Sequence, residues 1–282
     1  MKERKIIQKV QGNKAIDGAG VHLVRVLGHG TIESFDPFLM LDSFDSKNPE
    51  DYIKGFPWHP HRGIETITYL AQGEIDHGDS LGNSGKIQAG QSQWMTAGSG
   101  IMHQEMPQPA ERMLGLQFWL NLPKEEKMTT PTYFDITEEM VGIKEEEGAI
   151  VRVIAGSYKD VKGVKPPHIQ ATLYDISLEA GAKITLPVIE DETVFVFLLD
   201  GDGIVAGEKI NAKTAVLLDD GDTIRVEAPA TSPLRFIMAM AKPLGEAVAW
   251  GGPIVMNTRD ELQKAFEELD AGTFIKENPS QG

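Results

Sequence analysis

The sequence predicts an all-β protein of two barrels with a short C-terminal helix. Runs of four to eight strand-forming residues bounded by Gly, Pro, Asn and Asp recur along most of the chain, with no helical period between them. A single segment near the C-terminus has helical spacing with both ends marked. One strand-and-turn pattern occurs twice, and 282 residues suit two domains of ordinary size.

Taken in order, strands are expected at Val21–Leu27, Thr66–Leu70, Gln93–Thr96, Gly115–Asn121, Ile150–Ile154, Thr172–Ile176, Val194–Leu199, Ala215–Leu218, Thr223–Val226 and Arg235–Ala241. The 29 glycines and 16 prolines supply the turns between them. The helix begins after Thr258, which forms a capping box with Glu261; Leu262, Ala265, Phe266 and Leu269 then share one face. Gly272 stands where a C-terminal cap would end it, and Asn278–Gly282 is expected to fray. The repeat matches Glu65-Thr-Ile-Thr-Tyr-Leu-Ala-Gln-Gly73 with Glu192-Thr-Val-Phe-Val-Phe-Leu-Leu-Asp-Gly201. Further on, Gly90 and Gly221 each open a segment leading to a strand. An N-terminal barrel over residues 1–135 and a C-terminal barrel with the helix over 136–282 follow, joined through the acidic, solvated stretch Thr129 to Glu147.

Composition excludes several function classes. With 27 basic and 42 acidic residues the net charge is −15, which repels phosphate backbones and anionic membrane surfaces. Direct nucleic-acid binding is therefore not expected, although contact through another protein is open. No cysteine is present, so neither disulfides nor thiolate metal sites are available, which fits a reducing compartment. Neither a signal-peptide core nor an apolar run of about 18 to 20 residues is visible. The expectation is a cytoplasmic protein, monomeric in the absence of a coiled-coil pattern.

Chemistry is carried by two short pairs. In Gly55-Phe-Pro-Trp-His59-Pro-His61-Arg-Gly-Ile-Glu65 the two histidines are two apart, so on a strand both side chains leave the same face. Pro60 lacks an N–H and suits an edge or the start of a strand. In Gly98-Ser-Gly-Ile-Met-His103-Gln-Glu105, His103 and Glu105 repeat that spacing. Pairs on neighbouring strands would converge inside a barrel, giving three imidazoles and one carboxylate around one divalent transition ion. Three of the chain's seven histidines fall in these pairs. His22, His29, His77 and His168 are isolated and read as structural or exposed. Phe44, Trp94, Met95, Met102, Gln117 and Trp119 lie near the ligands; most are expected in the core, some at an apolar mouth. Gly98-Ser-Gly100 reads as a turn and not as a phosphate cradle.

These two stretches resemble the cupin motifs as pirins write them. Phe38-Leu-Met-Leu-Asp42, Gly115-Leu-Gln117-Phe-Trp119-Leu-Asn121 and Gly252-Pro-Ile-Val-Met-Asn257-Thr add to the likeness, which spans residues 20 to 274. The resemblance implies a bicupin fold with one metal, usually Fe(II), at His59, His61, His103 and Glu105, with Mn, Co, Ni, Cu or Zn as alternatives. It also implies that Glu65, a ligand in many other cupins, is not one here. In the second barrel Leu186 and Val188 stand where His59 and His61 would be, and no histidine follows His168, so no metal is expected there.

The family includes quercetin 2,3-dioxygenases, which implies O2-dependent opening of a flavonol-like aromatic substrate with Glu105 as the catalytic base. The alternative is a metal-bearing, redox-sensitive partner of transcription regulators without turnover. A cupin isomerase would need basic anchors for an anionic sugar, and only Arg62 is near the ligands in sequence.

Overall fold

The computed structural model describes residues 2–276; the fraying expected of Asn278–Gly282 falls outside them. The chain forms two compact units that are not consecutive in sequence. One comprises Lys14–Arg25, Phe38–Thr137 and Leu244–Gly282, and is called here the first barrel; the other comprises Met1–Asn13, Val26–Pro37 and Glu138–Pro243, the second barrel. A single cut at 135/136 therefore describes the middle of the chain and not its ends.

In the first barrel a seven-stranded sheet runs, neighbour to neighbour, through Thr132–Ile136, Ser92–Thr96, Ile64–Gln72, Met113–Asn121, Phe38–Ser46, Val21–Leu27 and Asn13–Asp17. A four-stranded sheet runs through Phe56–His61, Ile101–Pro107, Glu74–Asp79 and Ser84–Gln88. The central strands Ile64–Gln72 and Met113–Asn121 are buried on both faces, which is why they read as near-continuous apolar runs instead of alternating ones. Strand Ile101–Pro107, covered on one side, alternates between buried and half-buried residues. Val21, Leu23, Phe44, Tyr52, Leu70 and Met113 form part of the core.

The second barrel repeats this plan. Its seven-stranded sheet runs through Ile6–Gln11, Thr214–Leu218, Thr193–Asp200, Leu234–Ala241, Thr172–Leu178, Ala149–Ala155 and Gly142–Glu146. Its four-stranded sheet runs through Lys183–Pro187, Thr223–Glu227, Gly203–Val205 and Glu208–Ile210. The two orders match strand for strand. The edge place that Thr132–Ile136 takes in the first barrel is filled in the second by the N-terminal strand, whose Ile6 pairs with Leu218.

This correspondence amends one expected match. Thr223–Glu227 pairs with Lys183–Pro187 as Ile101–Pro107 pairs with Phe56–His61. Gly221 is therefore the counterpart of Gly100 and not of Gly90. Leu186 lies opposite Ile224 as His59 lies opposite His103. The positions answering His59, His61, His103 and Glu105 are then Leu186, Val188, Ile224 and Val226, all buried and all part of one apolar core. The second barrel is filled where the first carries polar groups.

The connection between the barrels is also less loose than its composition suggests. Thr132–Ile136 and Gly142–Glu146 are both paired edge strands, with the turn Glu138–Met140 between them. As sheet edges both strands keep most residues half-buried or exposed, and Lys144 and Glu146 are paired with Asp160 and Lys159, so an acidic composition coexists with regular pairing.

The helix Arg259–Asp270 has the expected ends. Thr258 Oγ1 accepts the Glu261 N–H at 3.2 Å, while the Glu261 carboxylate takes the Asn257 N–H at 2.9 Å, one residue earlier than in a standard capping box. Gly272, at φ 70°, and Thr273 donate to Leu269 and Glu268 carbonyls at 3.2 and 2.8 Å, closing a Schellman turn. Ala265, with Leu262 and Leu269, packs on Ile254, Met256 and Phe274. Among the described residues no helix is long and apolar enough to cross a membrane.

Truncating Leu186 to Ala removes a side chain with 0% exposure and should cost about 2–5 kcal/mol in urea denaturation. Bound metal per chain should stay unchanged; a loss of metal that tracks this substitution would contradict a purely structural second barrel.

Candidate metal centre

Backbone register brings the two histidine pairs together. Strand Phe56–His61 lies at the edge of its four-stranded sheet, where Pro57 and Pro60 are tolerated because no partner needs their missing N–H groups. Its neighbour Ile101–Pro107 pairs antiparallel so that His103 faces His59 and Ile101 faces His61. Tight turns hold the strand ends. At Gly63 (φ 76°) a Cβ would fall 1.9 Å from the Val255 carbonyl oxygen, and at Gly98 (φ 46°) 2.1 Å from that of Thr129. No other residue fits either place.

The ligating nitrogens of His59, His61 and His103 all lie within 4.8 Å of one another. Ring centroids are 4.3 Å apart for His59 and His103, 4.8 Å for His59 and His61, and 5.0 Å for His61 and His103. His59 Nδ1 lies 2.9 Å from the Pro57 carbonyl and His61 Nδ1 3.1 Å from that of Pro253. A carbonyl only accepts, so in the neutral form of each ring the hydrogen sits on Nδ1 and Nε2 carries a lone pair. Those two Nε2 atoms face each other at 3.1 Å, a contact between lone pairs that a cation relieves. Neither ring nitrogen of the buried His103 has a hydrogen-bond partner among the described residues.

Electrostatics keeps the cluster in ligating form. Burial, followed by the neighbouring His59, pushes the His61 imidazole down to about 3, and burial with His61, His59 and His77 nearby takes His103 well below the usual range. Both are neutral near pH 7 and their nitrogens are free to bind metal. Three convergent imidazole nitrogens form a site suited to a divalent transition ion and not to Ca or Mg.

Glu105 is close to this cluster in sequence and register but is not among the groups within that 4.8 Å. It is 4% exposed and shares the buried face of its strand with His103. A register shift separates the two: His103 pairs with His59, whereas Glu105 pairs with Phe56. The Thr68 hydroxyl lies 2.6 Å from Glu105 Oε1 and 3.0 Å from Gln117 Oε1. With a single hydrogen it satisfies only one of them, so a donation to Glu105 leaves the Gln117 amide to turn its nitrogen toward the hydroxyl oxygen. Burial raises the Glu105 carboxyl, partly offset by that hydrogen bond.

Around the cluster, Trp119 meets His61 edge-on at 4.9 Å and Trp250 lies 5.7 Å from Trp119. Phe56 lies 6.4 Å from His59. Of the other sequence candidates, Phe44, Trp94 and Met95 are core, Trp94 being stacked on Phe134, and Met102 is half-buried. Glu65 is fully buried, accepts from the Thr96 hydroxyl at 2.8 Å and is not grouped with the three histidines. His22 is exposed beside Asp51, and His29 sits in a short turn. His77 is buried opposite Glu105, where it bonds to the Tyr133 hydroxyl and lies 3.3 Å from Asp135, so it is structural but not isolated. Sequence reasoning missed Thr68, Trp250 and the Pro253 carbonyl. Strand parity and the direct pairing of Thr68 with Gln117 could have suggested the first; no local pattern marks the other two.

Residues 20–120 match the Pirin family model, and residues 173–275 match that of the Pirin C-terminal cupin domain. A pirin-like protein of Caulobacter vibrioides is 40% identical over 97% of this chain and 100% of its own length. Pirin of Homo sapiens is 35% identical over 93% of this chain and 91% of its own. Among solved structures, a quercetin 2,3-dioxygenase from Acinetobacter baumannii matches with a TM-score of 0.89 at 34% identity, covering 97% of this chain and 99% of that one.

The neutral histidines give the metal-free protein a defined acid sensitivity. His61 and His103 have folded-state values below their ordinary one near 6.5, so the unfolded chain binds more protons as pH falls below it. Stability contributed by the neutral rings is complete above pH 6.5 and is lost as pH drops toward about 3 for His61, while the raised Glu105 opposes this trend at its acid end. Thermal midpoints measured from pH 7 to 4 should fall, and less steeply in His103→Leu than in the wild type.

Proposed function

The chain belongs to the pirin family, with two cupin barrels, and on that footing we propose that it is a metal-dependent dioxygenase opening a flavonol-like aromatic substrate. In this reading His59, His61, His103 and Glu105 hold one divalent ion, Fe(II) first among the candidates. The observation that carries it is the facing pair of lone-pair-bearing nitrogens on His59 and His61 beside His103, walled on one side by indole rings. The similar quercetin 2,3-dioxygenase of Acinetobacter baumannii supports the choice of substrate class.

A bound ion supplies Lewis acidity that favours the deprotonated enol of the substrate and a redox centre for O2. The protein supplies the rest. Trp119 and Trp250 present half-buried aromatic surfaces against which flat rings can pack, and Phe56 closes beside His59. Glu105 accepts the hydroxyl proton of the substrate: burial has already raised its affinity for a proton, and Thr68 fixes the orientation of the carboxyl group. Pro57 and Pro253 carbonyls hold the His59 and His61 rings in one tautomer throughout.

A second reading, a redox-sensitive interaction protein of transcription regulators, draws on the filled second barrel, which has no polar site of its own at the four matching positions. Turnover separates the two.

Metal analysis of protein purified without added ions, followed by quercetin consumption, O2 uptake and carbon monoxide release, tests the enzyme directly. Bound metal without turnover would favour the second reading. With metal retained, Glu105→Gln should lower kcat by about 10^2- to 10^4-fold; full turnover in that variant would remove Glu105 as the base.

A further inference from the structure

Arg62 adjoins His61 in sequence but not in its contacts. Its side chain is 2% exposed, and among the described residues its hydrogen bonds go to Ser99, Glu268 and Phe274 rather than to any of the three rings. Nε donates to the Ser99 carbonyl, Nη1 to Glu268 and Nη2 to the Phe274 carbonyl, each at 2.8 Å. The Phe274 ring lies 4.1 Å from the guanidinium carbon. One planar group thus joins the turn after His61, the turn that leads into His103, and the helix with the residues after it. It is not an anchor for an anionic substrate.

The backbone repeats the connection. Val255 N–H donates to the Arg62 carbonyl at 3.1 Å, and Gly63 N–H to the Gly98 carbonyl at 2.9 Å. Two residues before Val255, the Pro253 carbonyl accepts from His61 Nδ1. If the C-terminal segment moves away, His61 loses the acceptor that fixes its tautomer, and a buried guanidinium loses two of its three partners.

We propose that Arg62 is a positioning residue that couples metal binding at His59, His61 and His103 to the docking of the C-terminal segment Ile254–Phe274. The coupling rests on the metal-binding part of the function proposed above and not on its catalytic part. Linkage makes it reciprocal: an ion that favours the docked arrangement protects the segment, and loosening the segment weakens the ion by the same factor. Lysine cannot replace Arg62, because three acceptors in different directions require a planar fork of donors.

The test uses the full chain stripped of metal and titrated with Co(II), whose visible absorption reports its ligand geometry. Affinity is measured for the wild type, Arg62→Lys and Glu268→Gln, and amide hydrogen exchange over residues 254–274 is followed with and without Co(II). Co(II) should slow exchange in the wild type. Both variants should bind Co(II) about 10- to 100-fold more weakly, with an altered spectrum and a correspondingly smaller effect on exchange. Wild-type affinity in variants whose metal-free thermal midpoint has fallen would make Arg62 merely structural and overturn the inference, as would exchange indifferent to Co(II). Should Arg62→Lys fail to fold, Glu268→Gln, at a carboxylate 19% exposed, decides alone. A wild type that binds no Co(II) would instead overturn the metal-binding reading on which the coupling rests.

Discussion

Two imidazole nitrogens, each with its lone pair exposed to the other at 3.1 Å, set the terms for everything around them. Backbone carbonyls keep the hydrogens of the neutral His59 and His61 rings on their far nitrogens, so in that form neither can resolve the contact by donating to the other. His103 joins them from the facing strand, with two buried nitrogens that no neighbouring group satisfies. Unsatisfied buried polar atoms cost about 1–3 kcal/mol each, so a fold that maintains several in one place does so for a reason outside its own packing. The strand register, the two crowded glycine turns and the prolines at a sheet edge all serve to keep those rings where they are.

The second barrel shows what the same scaffold does without that demand. Its strands follow in the same order, and Leu186, Val188, Ile224 and Val226 occupy the four matching positions. Aliphatic side chains there bury surface with no polar group to satisfy, which favours stability at about 25 cal/mol per Å² removed from water. The two barrels thus differ at four matching side chains and not in the scaffold that presents them.

The legible part of the sequence was its local part. His59-x-His61 and His103-x-Glu105 give their spacing outright, because alternation on a strand is a purely local rule. Thr258, Glu261 and Gly272 likewise announce a helix by contacts within a few residues. What could not be read depends on distant pairing. Ile6–Gln11 alternates half-buried with exposed residues and is not among the strands expected from the sequence, because nothing local marks its partner Thr214–Leu218. The Pro253 carbonyl reaches His61 across 192 residues of sequence and has no side chain to betray it. The shift of register between His103 and Glu105 has no sequence mark, and the acidic stretch before Glu147 looked like a linker because its outward-facing charges outnumber its buried residues.

The order in which a ribosome delivers these pieces gives the interleaved ends a temporal meaning. Ile6–Gln11 emerges first but finds its neighbour only when Thr214–Leu218 has been made, and the carbonyl that steadies His61 belongs to residue 253 of 282. A nascent polypeptide carries all three histidines long before it owns the group that sets one of them in place. The arrangement of the three rings is therefore completed only after residue 253 has been made, and a chain stopped before it carries the motif without the carbonyl that orients His61.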